Sequence, residues 1–279
     1  MTTQNSKGTA LVTGASSGIG AVYADRLARR GYDLILVARN RDRLDALARR
    51  ITDSTGRSVE AVGADLSDAT DLARVETTLR TDASITVLVN NAGVGATAPL
   101  LGSDIAKMDD MIALNVGALT RLTYAAVPGF VARGGGTVVN ISSSVAIAPE
   151  VLNGVYGGSK AYVLAFSQSL QHELADKGVR VQAVLPGATA TEFWGLAGVP
   201  LEHLPGQIVM SAEDLVDAAL AGLDAGEVVT IPSLPDVAEW DAFEAARRAL
   251  GPKLSLTTPA ARYRIAPRAS ARSIEETPA

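Results

Sequence analysis

No cysteine occurs in the 279 residues, which excludes disulfides, thiol nucleophiles and thiolate-bound metals. Histidine is nearly as scarce. His172 and His203 are the whole supply, too few for a metal site built on several imidazoles, and no metal is expected. Aromatic residues reach only 4% against 47% apolar residues overall, so aliphatic side chains must do most of the core packing. Basic residues are outnumbered by acidic ones, 25 to 30, and the net charge of −5 argues against nucleic acid or an anionic membrane as the main partner. No apolar, uncharged run reaches the ~18 residues of a transmembrane helix. The polar start, Met1 to Gly8, also lacks the apolar stretch of a signal peptide. A soluble cytoplasmic protein is therefore expected.

What is present is a regular alternation. Short apolar or β-branched runs begin at Thr9, Asp33, Ser58, Ile85, Thr137, Val179 and Val228. Longer segments with helical character separate them, near 18–30, 40–53, 68–81 and 154–176, and Gly31 stands where a helix ends. Seven strands that are apolar from end to end fit a parallel sheet buried on both faces. Repeated β-α-β crossovers make that sheet doubly wound, an α/β fold with helices on both sides. One domain is expected, its catalytic part spanning 1–235, with a C-terminal helix and tail at 236–279 belonging to it. The four Arg between Arg262 and Arg272 read as a solvated tail. Ligands of such a sheet bind at the carboxyl ends of the strands. Gly14, Arg39, Asp65, Asn90, Ser143 and Pro186 each follow a strand.

Two motifs carry chemistry. Thr13-Gly14-Ala15-Ser16-Ser17-Gly18-Ile19-Gly20 joins the first strand to the first helix, whose N–H groups and positive dipole end can receive a phosphate. An ordinary Gly-rich β-α turn is the plainer alternative. Further on, Tyr156 and Lys160 stand at i and i+4, on one face of a helix one turn apart. An ammonium beside a phenol favours the phenolate and lowers its pKa from about 10, so the pair can exchange a proton with a carbonyl or carbinol oxygen.

Taken in order, the Gly-rich turn at 13–20, Asp65-Leu66, Asn90-Asn91-Ala92-Gly93, Asn115-Val116, Ser143, Tyr156/Lys160 and Pro186-Gly187 with Thr191 resemble the short-chain dehydrogenase/reductase family. The resemblance covers roughly 9–231. It implies a Rossmann-like fold, an NADP(H)- or NAD(H)-dependent oxidoreductase acting on a small carbonyl or alcohol, and a homo-oligomer, dimer or tetramer. By the same resemblance Tyr156 is the acid/base and Ser143 polarises the substrate oxygen. Lys160 lowers the phenol pKa and holds the nicotinamide ribose, and Asn115 keeps a water that resupplies the proton. The cofactor would lie along Gly14, Ser16, Ser17, Gly18, Ile19 and Gly20, then Asp65, Leu66, Asn91, Ala92 and Gly93, and finally Pro186, Gly187, Thr189 and Thr191. Asp65 has a second reading, as part of the N-terminal cap of the next helix.

Arg39 selects the cofactor. An NAD site ends its second strand with an acid that accepts from the ribose 2′-OH. This strand ends Val37-Ala38-Arg39, and a guanidinium there suits the 2′-phosphate of NADP(H). Residues 190–210 resemble the family's substrate lid, with Phe193, Trp194, Leu196, Leu204 and Met210 as its apolar surface; a loop packed on the core is the alternative. An apolar lid suggests a hydrophobic ketone or secondary alcohol. The expected activity is an NADPH-dependent ketone reductase, with a β-ketoacyl thioester reductase or a non-catalytic NADP(H) sensor as alternatives. Two departures stand out: Ala146 replaces a usual glycine, and Gly157-Gly158 sits inside the catalytic helix, where each glycine costs about 1 kcal/mol against alanine.

Overall fold

The structure is a computed structural model and describes residues 6–265. Its strands are β1 (Thr9–Thr13), β2 (Asp33–Ala38), β3 (Val59–Gly63), β4 (Ile85–Asn90), β5 (Gly136–Ile141), β6 (Val179–Val184) and β7 (Val229–Thr230). They form one sheet in the order β3-β2-β1-β4-β5-β6-β7, every neighbouring pair parallel. The seven expected runs are these strands. Only the last is much shorter than its apolar run, pairing with β6 through Val229 and Thr230 alone.

Alternation along each strand divides the core in two. Ala10, Val12, Leu34, Leu36, Val87 and Val89 face α1 (Gly18–Arg29), α2 (Arg41–Thr55) and α8 (Ala212–Ala225). Their neighbours Leu11, Ile35, Val37, Leu88 and Val138 face the other way. They meet α3 (Ala69–Thr81), α5 (Leu119–Ala132) and the distal half of α6 (Gly154–Leu174). A leucine sealed as Leu11 or Leu36 is contributes about 2 kcal/mol. Val163, Leu170 and Leu174 of α6 are buried at helical spacing, with Phe166 partly buried beside them.

Polar side chains at the helix starts meet the first free N–H groups. Asn40 accepts from Arg43 N, Asp68 from Thr70 N and Asp71 N, Asn153 from Val155 N and Tyr156 N, and Ser211 from Asp214 N. The start of α1 differs. Its N-cap, Ser17, makes no such bond, so the N–H groups behind the Gly-rich turn stay available.

Between β4 and β5 the chain forms a helix that changes pitch. It runs as α4 (Ile105–Ile112), widens to a π-helical turn over Ala113–Ala118, and continues as α5. Asn115 lies in that turn. At the reversal of strand order, β1 lies between β2 and β4, and the connections leaving β1 and β4 diverge. A crevice opens there at the strands' carboxyl ends.

Contacts divide the chain into two compact units, Met1–Ser233 and Leu234–Ala279. The second holds α9 (Val237–Leu250), capped by Asp236. Of the tail arginines, Arg268 and Arg272 lie outside the described residues. No described helix is long and apolar enough to cross a membrane.

Candidate active site

Two turns are stitched together to make the floor of the crevice. Thr13 Oγ1 accepts from the backbone N–H groups of Asn91 and Ala92, both at 3.0 Å. The Asn91 amide in turn donates to the carbonyls of Thr13 and Gly14 at 2.9 and 3.1 Å. Gly14 has φ of 63°, and a Cβ there would lie 2.8 Å from Asn91 Nδ2. Only glycine satisfies both the turn and this contact. Gly20 faces Gly14 O and Asn91, so it serves the same close approach.

Above the floor lies a cleft of about 550 Å³. Gly14, Ser17, Gly18 and Ile19 line one end, and Asn91, Ala92 and Gly93 the centre. Ser143, Tyr156 and Lys160 line the cleft as well, with Pro186 beside Ser143 and followed by Gly187, Thr189 and Thr191. Phe193, Trp194, Leu196 and Leu204 close over it. Most of the expected site is therefore in one place.

Ser143 and Tyr156 are both buried in this lining, and the Ser143 hydroxyl lies 3.4 Å from Pro186 O. Asn153 caps the helix that carries Tyr156, fixing where the phenol emerges. Lys160, one turn on, has its Nζ 3.0 Å from Ile141 O and 5.8 Å from the Tyr156 ring centroid. Burial dominates their acidities. Desolvation pushes the Tyr156 phenol up to about 12, against a smaller lowering by Ser143, and pushes Lys160 down to about 8. The expectation that Lys160 lowers the phenol pKa is not what the protein alone does. Its ammonium turns to a backbone carbonyl, and removal from water outweighs it. Such a phenol stays protonated at neutral pH, the form a proton donor needs.

Asn115 is wholly buried, and its side chain is used up. Its Oδ1 accepts from Val94 N at 2.9 Å while Nδ2 donates to Val94 O at 2.9 Å and Ser159 Oγ at 3.1 Å. The amide therefore clamps the loop after β4 against α6. Asn90 and Asn140 bond at 2.9 Å across β4 and β5 beneath the site, and Asn140 passes on to Ser167 of α6.

Several expected residues stand apart from the cleft lining. Arg39 is exposed at the end of β2, without an ion-pair partner among the described residues. Leu66 is a core side chain, and Asp65 turns one oxygen to Ser67 N. The cap of the next helix is Asp68, and Asp65 belongs to the turn that leads into it, its N–H donating to Asp71 Oδ2 at 2.8 Å. Met210 does not line the cleft. It pairs with Thr189 in an isolated bridge and packs on the core, anchoring the lid's far end. Residues 193–197 form a short helix, α7, and Leu196 is largely exposed.

Other lining residues had no signal beforehand, notably Val94, Gly95, Val151, Leu152 and Glu192. They sit in irregular segments without periodicity. Glu192 bonds Arg43 of α2 at 2.7 Å and also accepts from Ser17; Arg43 first, then Ser17, hold its carboxyl below the usual range.

Residues 8–197 match the short chain dehydrogenase family. The chain belongs to that family. It is 51% identical to a short-chain dehydrogenase from Sphingobium yanoikuyae whose structure was solved with NADPH. That likeness has a TM-score of 0.89 and covers 92% of this chain and 99% of the other. A bulky-bulky ketone specific alcohol dehydrogenase from Comamonas testosteroni is 44% identical, with a TM-score of 0.85 over 93% of this chain and 99% of that one. Among curated proteins, a very-long-chain 3-oxoacyl-CoA reductase of Anas platyrhynchos is 36% identical over 189 residues, 66% of this chain and 60% of its own length. Such curated relatives are thus matched over less than two thirds of their length. Family, fold and the hydroxyl–phenol–ammonium cluster together make this dehydrogenase an oxidoreductase acting on CH–OH groups.

Proposed function

We propose that the protein is an NADPH-dependent carbonyl reductase that reduces apolar ketones and, in reverse, oxidises secondary alcohols. The observation that carries this reading is the convergence of Ser143, Tyr156 and Lys160 on one cleft that begins at an uncapped helix N-terminus. The residues fit a dinucleotide. The free N–H groups of α1 suit a pyrophosphate, Thr191 lies against Gly18, and Arg39 offers for a 2′-phosphate a guanidinium without an ion-pair partner among the described residues. The solved Sphingobium relative, bound to NADPH, supports the same choice.

When bound, the dinucleotide supplies a hydride to the carbonyl carbon. Ser143 donates a hydrogen bond to the carbonyl oxygen, and the Tyr156 phenol gives that oxygen its proton as charge develops there. The Lys160 ammonium then stabilises the phenolate left behind. Since the Asn115 side chain is occupied by Val94, any water it orders for reprotonation falls to its backbone in the π turn. A π segment interrupting a long helix is often a functional feature.

Apolar residues at the mouth, Val151, Leu152, Leu196, Leu204 and Ile208, suit a hydrophobic substrate. The Comamonas relative acts on bulky ketones by its own description, and the Anas relative on 3-oxoacyl-CoA. The test is NADPH consumption across a panel of aryl and alkyl ketones that includes a 3-oxoacyl thioester. Turnover should fall roughly a hundredfold or more in Tyr156→Phe while NADPH still binds. Unchanged turnover in that variant, or none with any carbonyl in the parent, would overturn the reading; the second result with tight NADPH binding favours a sensor. The proposal includes a dimer or tetramer, supported by Tyr124 and Tyr162 stacked on Phe166 at the surface of α5 and α6. Light scattering of a monomer would refute that part.

A further inference from the structure

Phe193 is wedged between two very different neighbours. On one side its ring centroid lies 5.7 Å from that of Tyr156, tilted by 44°. On the other, its tip presses into the backbone of Gly95. A Cβ built on Gly95 would stand 2.2 Å from Phe193 Cζ and 2.7 Å from Cε2. Real Cβ atoms do not approach so closely, so any side chain at 95 must displace the ring.

The ring has little room to retreat. Trp194 meets it edge-on at 5.6 Å, and Trp194 is itself buried, with Nε1 donating to Thr189 O at 3.0 Å. Helix α7 is held from its other end as well. Thr97 donates to Ala197 O through both N (3.2 Å) and Oγ1 (2.9 Å). A ring driven off Gly95 is therefore displaced within the cleft that Tyr156 also lines, where the carbonyl must sit. Gly95 acts as a recess that keeps Phe193 drawn back from the reacting oxygen.

We infer that Gly95 is a specificity-determining residue: by seating Phe193, it leaves space beside Tyr156 for ketones with bulky groups on both sides of the carbonyl. This rests on the carbonyl reductase reading above and deepens it. Phe193 is the aromatic wall against which one of those groups packs, an aryl group best of all.

The experiment compares the parent, Gly95→Ala, Phe193→Ala and the double variant on a graded series of aryl ketones. The series runs from acetophenone to ketones whose second substituent is butyl or phenyl. In Gly95→Ala the ratio of kcat/KM for the bulky members to that for acetophenone should fall about tenfold or more, the scale of one methylene in a tight pocket. Adding Phe193→Ala should bring that ratio back to within about threefold of the parent, because the two sites are in contact and non-additive. A merely structural defect would lower all ketones together and would not be rescued by deleting a second side chain. An equal loss across the series, no change in the ratio, or a double variant as selective as Gly95→Ala would overturn the inference. A parent that reduces some ketones but fails these comparisons leaves the proposed function standing. A parent that reduces none removes that function and this inference with it.

Discussion

Lys160 carries a buried ammonium, with one carbonyl, Ile141 O, as its hydrogen-bond partner among the described residues. Its pKa falls from 10.5 to about 8. Below pH 8 the native and unfolded chains both hold the proton, and the native one bears the full cost of a buried charge. Between pH 8 and 10.5 the native chain releases its proton first, so this residue's contribution to stability rises with pH across that window. Lys160→Met should therefore be more stable than the parent at pH 7, by on the order of 2 kcal/mol, and melt higher, while losing turnover. The gap should narrow as pH climbs through the same window. A lower melting temperature for that variant at pH 7 would mean the charge is better compensated than its single partner suggests. Reduction needs the ammonium charged and the phenol protonated, so kcat/KM for ketone reduction should decline above about pH 8. At the same scale, Arg39→Ala should raise the KM for NADPH about tenfold or more while changing that for NADH little, the value of one charge-assisted bond to phosphate. Equal effects on both cofactors would remove Arg39 from the 2′-phosphate site. Tyr156, Ser143 and Lys160 were legible because residue type and spacing suffice to align them. The direction of the phenol shift was not, because it depends on burial that no spacing reveals.

Among the elements, α6 illustrates what periodicity misses. Its two adjacent glycines look alike in the sequence yet have opposite surroundings. A Cβ on Gly157 would meet Pro149 Cα at 3.3 Å, so that glycine lets the 149–151 turn approach the catalytic helix. A Cβ on Gly158 would meet nothing within 4 Å. Gly158→Ala should stabilise the protein by about 0.5–1 kcal/mol through helix propensity alone, and Gly157→Ala should not. Thermal melts of the two variants check this, and a destabilised Gly158→Ala would mean the open face is covered in the assembled protein. The end of the helix after β1 followed from Gly31, which has φ of 98°. The π turn around Asn115 did not, since Ala113-Leu114-Asn115-Val116-Gly117-Ala118 has no residue that demands a wider pitch. It follows from tertiary bonds between Asn115 and Val94. The Arg43–Glu192 bond, which ties α2 to the segment entering α7, was hidden for the same reason: its partners are far apart in sequence.

At the scale of the molecule, the alternation of seven apolar runs with helices was enough to expect a buried, doubly wound parallel sheet, and the crevice beside β1 and β4 follows from that winding. The lid was less legible. Its segment shares no period with the sheet, and its parts behave differently, with Met210 pinned to the scaffold and Leu196 left in solvent. The same view bears on the division at Ser233. Every residue of the three buried apolar clusters falls between Ala10 and Leu223, and the cleft lining ends at Ile208. The first unit thus holds its own core and every group assigned to hydride and proton transfer. A chain ended after Ser233 should unfold in one cooperative transition and bind NADPH with an affinity within about threefold of the parent. That difference is below the ~1.4 kcal/mol of a tenfold change. Calorimetry and a fluorescence titration with NADPH measure the two. Loss of the cooperative transition would assign Leu234–Ala279 a share in holding the sheet together, and retained folding with lost affinity would assign it a share in the nucleotide site.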